Sequence, residues 1–132
     1  MTPNPSLDPP QASTTASFRV LVVEDSYHAA SILNSILESL GVEVVGPVPS
    51  VRRAMATLKT THPDAAVLDI NLGNESVQPV AERLRELNIP FFFVSGYTSP
   101  RMLSAEFKSC VLLNKPVEPE LVRREISRLR SA

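Results

Sequence analysis

The sequence has little cysteine, almost no net charge and no long apolar run, and each absence removes a class of protein. The single cysteine, Cys110, excludes an internal disulfide and a metal site built from several cysteines. A formal net charge of −1 gives no bulk attraction toward nucleic acid or an anionic membrane. No apolar run is long enough to span a bilayer, and the N-terminus lacks the basic and apolar regions of a secretory signal. We therefore expect a cytoplasmic protein with no nucleic-acid and no membrane partner.

The length of 132 residues suits one domain with a real core and is too short for two. Composition changes near residue 17. Residues 1–17 carry four prolines among serines and threonines, with only Met1 and Leu7 as large apolar groups. Such a segment cannot bury enough surface to offset the entropy of ordering. We predict a flexible tail over residues 1–17 and one domain over residues 18–132.

Short apolar runs alternate with helical patterns through the rest of the chain. The predicted strands cover residues 18–23, 42–45, 65–70, 91–95 and 111–113. Gly46 and Pro47 are expected to close the second strand. The pattern at residues 99–108 is weakly helical, with Met102, Leu103 and Phe107 as its apolar members. Five strands alternating with five helices predict an α/β fold, in which helices cover both faces of a parallel sheet.

Ligands of such sheets bind at the carboxyl ends of the strands, so the polar residues at these ends are the candidate site. They are Glu24, Asp25, Asp69, Asn71, Ser95, Asn114 and Lys115. Although these residues lie far apart in the sequence, the predicted fold brings three carboxylates, a hydroxyl and an ammonium to one rim.

This set of groups has the chemistry of phosphoryl transfer. Clustered carboxylates repel one another, and Mg²⁺, which prefers oxygen ligands, relieves the repulsion. Asp69 can act as a nucleophile and form an acyl phosphate. Lys115 and the Ser95 hydroxyl would then contact the phosphoryl oxygens, and Gly96 leaves room for them.

Each of these residues also has an ordinary structural explanation when taken alone. Asp69, or the pair Glu24 and Asp25, could cap the following helix, and Lys115 could be a solvated charge. The combination is far more specific, because all four strand ends carry the group that one reaction needs. A small-molecule phosphatase of the aspartate-nucleophile type is disfavoured, since such enzymes place a second Asp two residues after the nucleophile. Here that residue is Asn71, which cannot act as a general acid.

Four motifs make the sequence resemble the receiver domain of bacterial response regulators, the CheY-like family. They are VLVVEDS at 20–26, AVLDINLG at 66–73, FFFVSGY at 91–97 and NKP at 114–116. The resemblance covers roughly residues 18–130. It implies a doubly wound (βα)5 flavodoxin-like fold with strand order 2-1-3-4-5.

The resemblance also implies a role for each site residue. Asp25 would be a direct Mg²⁺ ligand, Glu24 would hold a metal-bound water, and Asn71 would offer its backbone carbonyl. Asp69 would be both the phospho-acceptor and a metal ligand. Ser95 and Lys115 would contact the phosphoryl group, and the peptide between Lys115 and Pro116 would be cis.

A narrower resemblance links the segment PFFFVSGY at 90–97 to the "FAT GUY" receivers. That group includes single-domain regulators served by histidine kinases of the HWE and related types. Most receivers carry an aromatic residue where this chain has Leu112, so an aromatic ring cannot transmit the signal here. We expect instead that phosphorylation orders residues 96–108, with Gly96 and Tyr97 taking part, so that Gly96, Tyr97, Leu112 and Pro116 are the candidate switch residues.

The expected function is that of a signalling module and not of a metabolic enzyme. The chain ends shortly after the last predicted helix, which argues against a transcription factor and favours a single-domain response regulator. Its expected phosphodonor is a sensor histidine kinase or a phosphotransfer protein, and the output is a changed protein–protein interaction. Two alternatives remain open: a phosphate sink within a branched phosphorelay, and a pseudo-receiver scaffold that works without phosphorylation.

Overall fold

A computed structural model describes residues 17–96, 104–107 and 109–131. Its strands are β1 (Arg19–Val23), β2 (Glu43–Val48), β3 (Ala65–Asp69), β4 (Asn71–Leu72), β5 (Glu75–Ser76), β6 (Phe91–Ser95) and β7 (Leu112–Asn114). Its helices are α1 (Tyr27–Ser39), α2 (Val51–Thr60), α3 (Gln78–Glu86) and α4 (Pro119–Ser131), and a 3₁₀ turn covers Ala105–Phe107. The predicted tail lies outside the described residues, except for residue 17.

Five of the strands form one parallel sheet in the order β2-β1-β3-β6-β7. Counted among the sheet strands alone, this is the order 2-1-3-4-5, so the predicted flavodoxin-like α/β fold is confirmed. The central strand β3 is buried along its whole length. A strand buried on both faces has to be apolar throughout, which explains the run from Ala65 to Leu68 before the charged Asp69.

Two separate apolar cores lie on the two faces of the sheet. Successive side chains of a strand point to opposite faces. Thus Phe93 packs into the core under α2 and α3, whereas its neighbour Phe92 packs into the core under α1 and α4. Val122, Ile126 and Leu129 of α4 are buried, and the arginines of the same helix are exposed.

The second strand is longer than predicted. Gly46 and Pro47 do not end β2, because the strand continues through them to Val48. β2 is an edge strand, where the missing N–H of a proline need not disrupt pairing. The pairing with β1 shifts between Leu21 and Val23, and Gly46 has a φ of +102°, so the two residues form an irregularity inside the strand.

Two further elements differ from expectation. A short antiparallel hairpin, β4–β5, follows the central strand and was not predicted. The predicted helix at 99–108 falls largely outside the described residues. The part that is described contains the 3₁₀ turn, in which Phe107 is buried. In the part of the chain that the structure describes, none of the helices has the length and apolar character needed to cross a bilayer.

Candidate functional site

The site begins where β1 ends. The N–H of Glu24 donates to the carbonyl of Val48 at 3.0 Å, so the extension of β2 beyond Pro47 holds the backbone of Glu24 in place. Ser26 is the N-cap of α1, and its own N–H donates to Glu24 Oε2 at 3.0 Å. These bonds fix the acidic pair between the end of a buried strand and the first turn of a helix.

Three carboxylates meet at this rim. One oxygen from each of Glu24, Asp25 and Asp69 lies within 4.8 Å of the others. Glu24 and Asp69 are buried, with 3% and 2% of their surface exposed, whereas Asp25 is exposed. Buried like charges at this distance repel strongly, so the cluster needs a cation to offset them.

The ammonium of Lys115 supplies part of that positive charge. Its Nζ lies 3.2 Å from Asp69 Oδ2 and only 2.7 Å from Glu24 Oε1. The pairing with Glu24 was not anticipated, since the resemblance assigned that carboxylate to a metal-bound water. No sequence pattern signals this contact, because it depends on two side chains reaching each other from the ends of different strands.

The surroundings shift the protonation of both charged partners. Burial, together with the hydrogen bonding and repulsion of Glu24, raises the pKa of Asp69 to about 7, although Lys115 acts in the opposite direction. Burial disfavours the charge on Lys115, but the two carboxylates outweigh it and raise the pKa of this ammonium above its ordinary value. The site therefore holds a firmly charged lysine and an aspartate that gains a proton near neutral pH.

The hairpin forms one wall of the site. The backbone N–H of Asn71 donates to Asp69 Oδ1 at 3.1 Å. Gly73 has a φ of +60°, and a Cβ on it would lie 3.8 Å from Asp25 Oδ2. A cleft of about 370 Å³ opens here, and it is lined by Asp25, Asp69, Asn71, Gly73, Gly96 and Lys115.

The remaining predicted residues come from β6 and β7. Ser95 is buried at the end of β6, and its carbonyl accepts from the backbone N–H of Lys115 at 2.8 Å. The Lys115–Pro116 peptide is cis, as expected. Leu112 is half-buried against the core that contains Phe107. Tyr97, like most of the proposed switch segment, lies outside the described residues.

Most of the chain matches one known protein family. Residues 20–127 match the family described as "Response regulator receiver domain". The matched range contains the acidic pair, the hairpin, Asp69, Ser95 and Lys115.

Solved structures and curated relatives are similar to the chain over different extents. The solution structure of SdrG from Sphingomonas melonis Fr1 is 35% identical, covers 88% of this chain and 98% of its own, and has a TM-score of 0.76. The BeF3-activated conformation of SdrG, from Pseudomonas melonis Fr1, is 33% identical over 88% of this chain and 98% of its own, with a TM-score of 0.73.

A curated relative from Halobacterium salinarum, a "Protein-glutamate methylesterase/protein-glutamine glutaminase", is 32% identical over 60% of this chain. The chain spans only 23% of the length of that relative.

Proposed function

Because the chain belongs to the response regulator receiver domain family, we propose that it is a phosphorylation-controlled signalling module whose acceptor is Asp69. The observation that carries the proposal is the placement of this carboxylate. It ends the central strand and lies within hydrogen-bond distance of the Lys115 ammonium, with one oxygen close to those of Glu24 and Asp25. An acceptor of a phosphoryl group needs such a set of charges around it.

The donor set fits Mg²⁺. A cleft with several carboxylate oxygens and an adjoining backbone suits a hard cation that prefers oxygen and retains water ligands. Asp25 and Asp69 would hold the ion directly, Glu24 through water, and Asn71 through its backbone carbonyl. When bound, Mg²⁺ would offset the carboxylate charge and that of the incoming phosphoryl oxygens.

The covalent step exchanges one bond for another. An Oδ of Asp69 forms a bond to phosphorus while the P–N bond of the donor's phosphohistidine breaks, and the leaving imidazole is protonated from solvent. Asp69 must be ionised to attack, and its pKa of about 7 in the metal-free protein leaves it partly protonated at neutral pH. The positive charge of a bound cation would lower that pKa and so favour the reactive form.

Lys115 and Ser95 are proposed to contact the phosphoryl group once it is attached. The ammonium already lies against Asp69, so only a short movement is needed to reach an oxygen on the new group. That movement is opposed by Glu24, which holds the same ammonium at 2.7 Å. Gly96 is exposed at the mouth of the cleft and leaves room there for the phosphoryl oxygens.

The proposed partner is a sensor histidine kinase, of the HWE or a related type, or a phosphotransfer protein. A mostly apolar groove opens beside Lys115, between α1 and the segment that follows β7. Its lining includes Ala29, Ile32 and Val117, and Ile32 is 37% exposed. An exposed apolar groove next to the acceptor suits a protein that must bring a phosphohistidine to Asp69. We place this exchange in the cytoplasm.

The test is incubation with acetyl phosphate and Mg²⁺, followed by intact-mass measurement. We expect one phosphoryl group on the wild type and none on Asp69→Asn. A matched control is Asp64→Asn, which makes the same change just before the other end of β3, where the carboxylate accepts from the backbone N–H of Arg19 at 2.8 Å. An unlabelled wild type would favour the scaffold alternative, and labelling of Asp69→Asn would refute the assignment of the acceptor.

A further inference from the structure

The β4–β5 hairpin connects the candidate site to helix α2. Its first strand carries Asn71, whose N–H contacts Asp69, and its turn carries Gly73, beside Asp25. Its second strand carries Glu75, which is exposed and lies outside the lining of the cleft. Glu75 Oε1 accepts from the backbone N–H of Val51, the first residue of α2, at 3.0 Å.

This contact satisfies a group that the helix itself cannot satisfy. The first N–H groups of any α-helix have no partner within the helix. In α2 the Ser50 side chain accepts from the N–H of Arg53, and Glu75 accepts from the N–H of Val51. A carboxylate is favoured at this position, because the N-terminus of a helix carries partial positive charge.

The hairpin needs such a tie, because two residues pair on each strand. Two-stranded hairpins are marginally stable in water without further packing. Leu72 is buried and anchors the first strand in the core. The second strand is anchored by Val77, which follows it and is buried, and the bond from exposed Glu75 to α2 adds a tie on its other side.

We propose that Glu75 is a positioning residue for the Mg²⁺ site. By tying the hairpin to α2 it keeps the backbone of Asn71 and Gly73 in place beside Asp25 and Asp69. Because this wall of the site is already ordered, Mg²⁺ binding does not include the free-energy cost of ordering it. This inference rests on the proposed function, since it presumes that the cleft binds Mg²⁺.

The experiment is a calorimetric Mg²⁺ titration of the full chain without any phosphodonor. Glu75→Ala is expected to weaken Mg²⁺ binding by about three- to tenfold, the effect of losing one charge-assisted hydrogen bond that orders the site. Glu75→Gln keeps an oxygen that can accept from Val51 and removes the charge. It is expected to bind Mg²⁺ within about twofold of the wild type, because the nearby charge is screened.

A second variant removes the same bond from the opposite partner. Val51→Pro deletes the N–H at the first helical position, where proline is well tolerated. The preceding residue, Ser50, already has the extended backbone (φ −150°, ψ 162°) that a following proline requires. We expect this variant to match Glu75→Ala, and the double variant to be no weaker than either single one.

These outcomes separate the inference from the function on which it rests. Asp25→Ala is the control that should lose most Mg²⁺ binding. If the wild type does not bind Mg²⁺, the proposed function and this inference both fail. If Asp25→Ala loses binding while Glu75→Ala does not, the inference alone fails. It also fails if Glu75→Gln is as weak as Glu75→Ala, or if the effects of Glu75→Ala and Val51→Pro simply add. A purely structural role would lower thermal stability without this pattern.

Discussion

Replacing Asp69 by asparagine should stabilise the metal-free protein above neutral pH. The wild type buries this carboxylate beside Glu24. Within residues 17–96, 104–107 and 109–131, the ammonium of Lys115 is the one cation paired with the two carboxylates. Asparagine has nearly the same shape and no charge. Lys115 does not lose its counter-ion in the variant, because Glu24 remains 2.7 Å away from it.

The magnitude follows from the shifted pKa of Asp69. The value rises from 3.8 to about 7 on folding, so the folded state retains a proton that the unfolded chain releases. The stability that this group contributes is therefore complete below about pH 4 and is lost as the pH rises toward 7. At ~1.4 kcal/mol per pKa unit the loss is at most about 4 kcal/mol, and rearrangement around Lys115 should reduce it to roughly 1 to 3 kcal/mol.

Urea unfolding in EDTA, repeated between pH 4 and pH 8, measures the difference between the two proteins. The advantage of Asp69→Asn should be small at pH 4, grow up to about pH 7 and then level off. Added Mg²⁺ should reduce that advantage, since it stabilises the protein that binds it better. A variant less stable than the wild type at pH 8, or an advantage that does not change with pH, would refute the reasoning.

Three further changes test other parts of the structure. Gly46→Ala should lower the free energy of unfolding by about 1 to 3 kcal/mol in urea titrations, because φ is +102° and a Cβ would lie 2.8 Å from Val48 N. Lys115→Arg should slow labelling by acetyl phosphate by roughly tenfold or more, since a planar guanidinium does not replace a compact ammonium between two carboxylates. Ile32→Asp should slow phosphotransfer from a histidine kinase by about tenfold while leaving acetyl phosphate labelling intact.

Each of the three has a result that contradicts it. If Gly46→Ala were as stable as the wild type, the irregularity in β2 would tolerate a side chain. Undiminished labelling of Lys115→Arg would remove the proposed role of the ammonium. For Ile32→Asp, an equal loss with both donors would point to damage at the cleft, and no loss with the kinase would exclude the groove as its docking surface.

The sequence predicted those features that depend on local pattern. The apolar run before Asp69 identified a strand buried on both faces, and the alternation of such runs with helical patterns identified the α/β fold. The polar residues at the strand ends were found because parallel topology brings those ends together. That step needed no contact information beyond the alternation of strands and helices.

The features that the sequence analysis missed depend on tertiary structure or, in one case, on a turn motif that was overlooked. Gly46 and Pro47 normally end a strand, but on an edge strand they are accommodated within it. The hairpin did have a signal: Gly73-Asn74 is a typical two-residue turn with glycine at its first position. The contact between Glu24 and Lys115 had none, because side-chain pairing across a sheet edge is set by tertiary packing.

Among the described residues, three carboxylates meet at the cleft and one ammonium pairs with them, and this excess of negative charge has a consequence for signalling. An unliganded cleft with that charge balance repels anions, and a phosphodonor is an anion. Under the proposed function, the negative cleft repels a phosphodonor that arrives without a cation, and a divalent cation alone changes no covalent bond. The module is therefore phosphorylated only when the cation and the phosphodonor are both present. Its default state rejects stray phosphate esters by charge, and this protection against false signals comes from the same acidic residues that make the true signal possible.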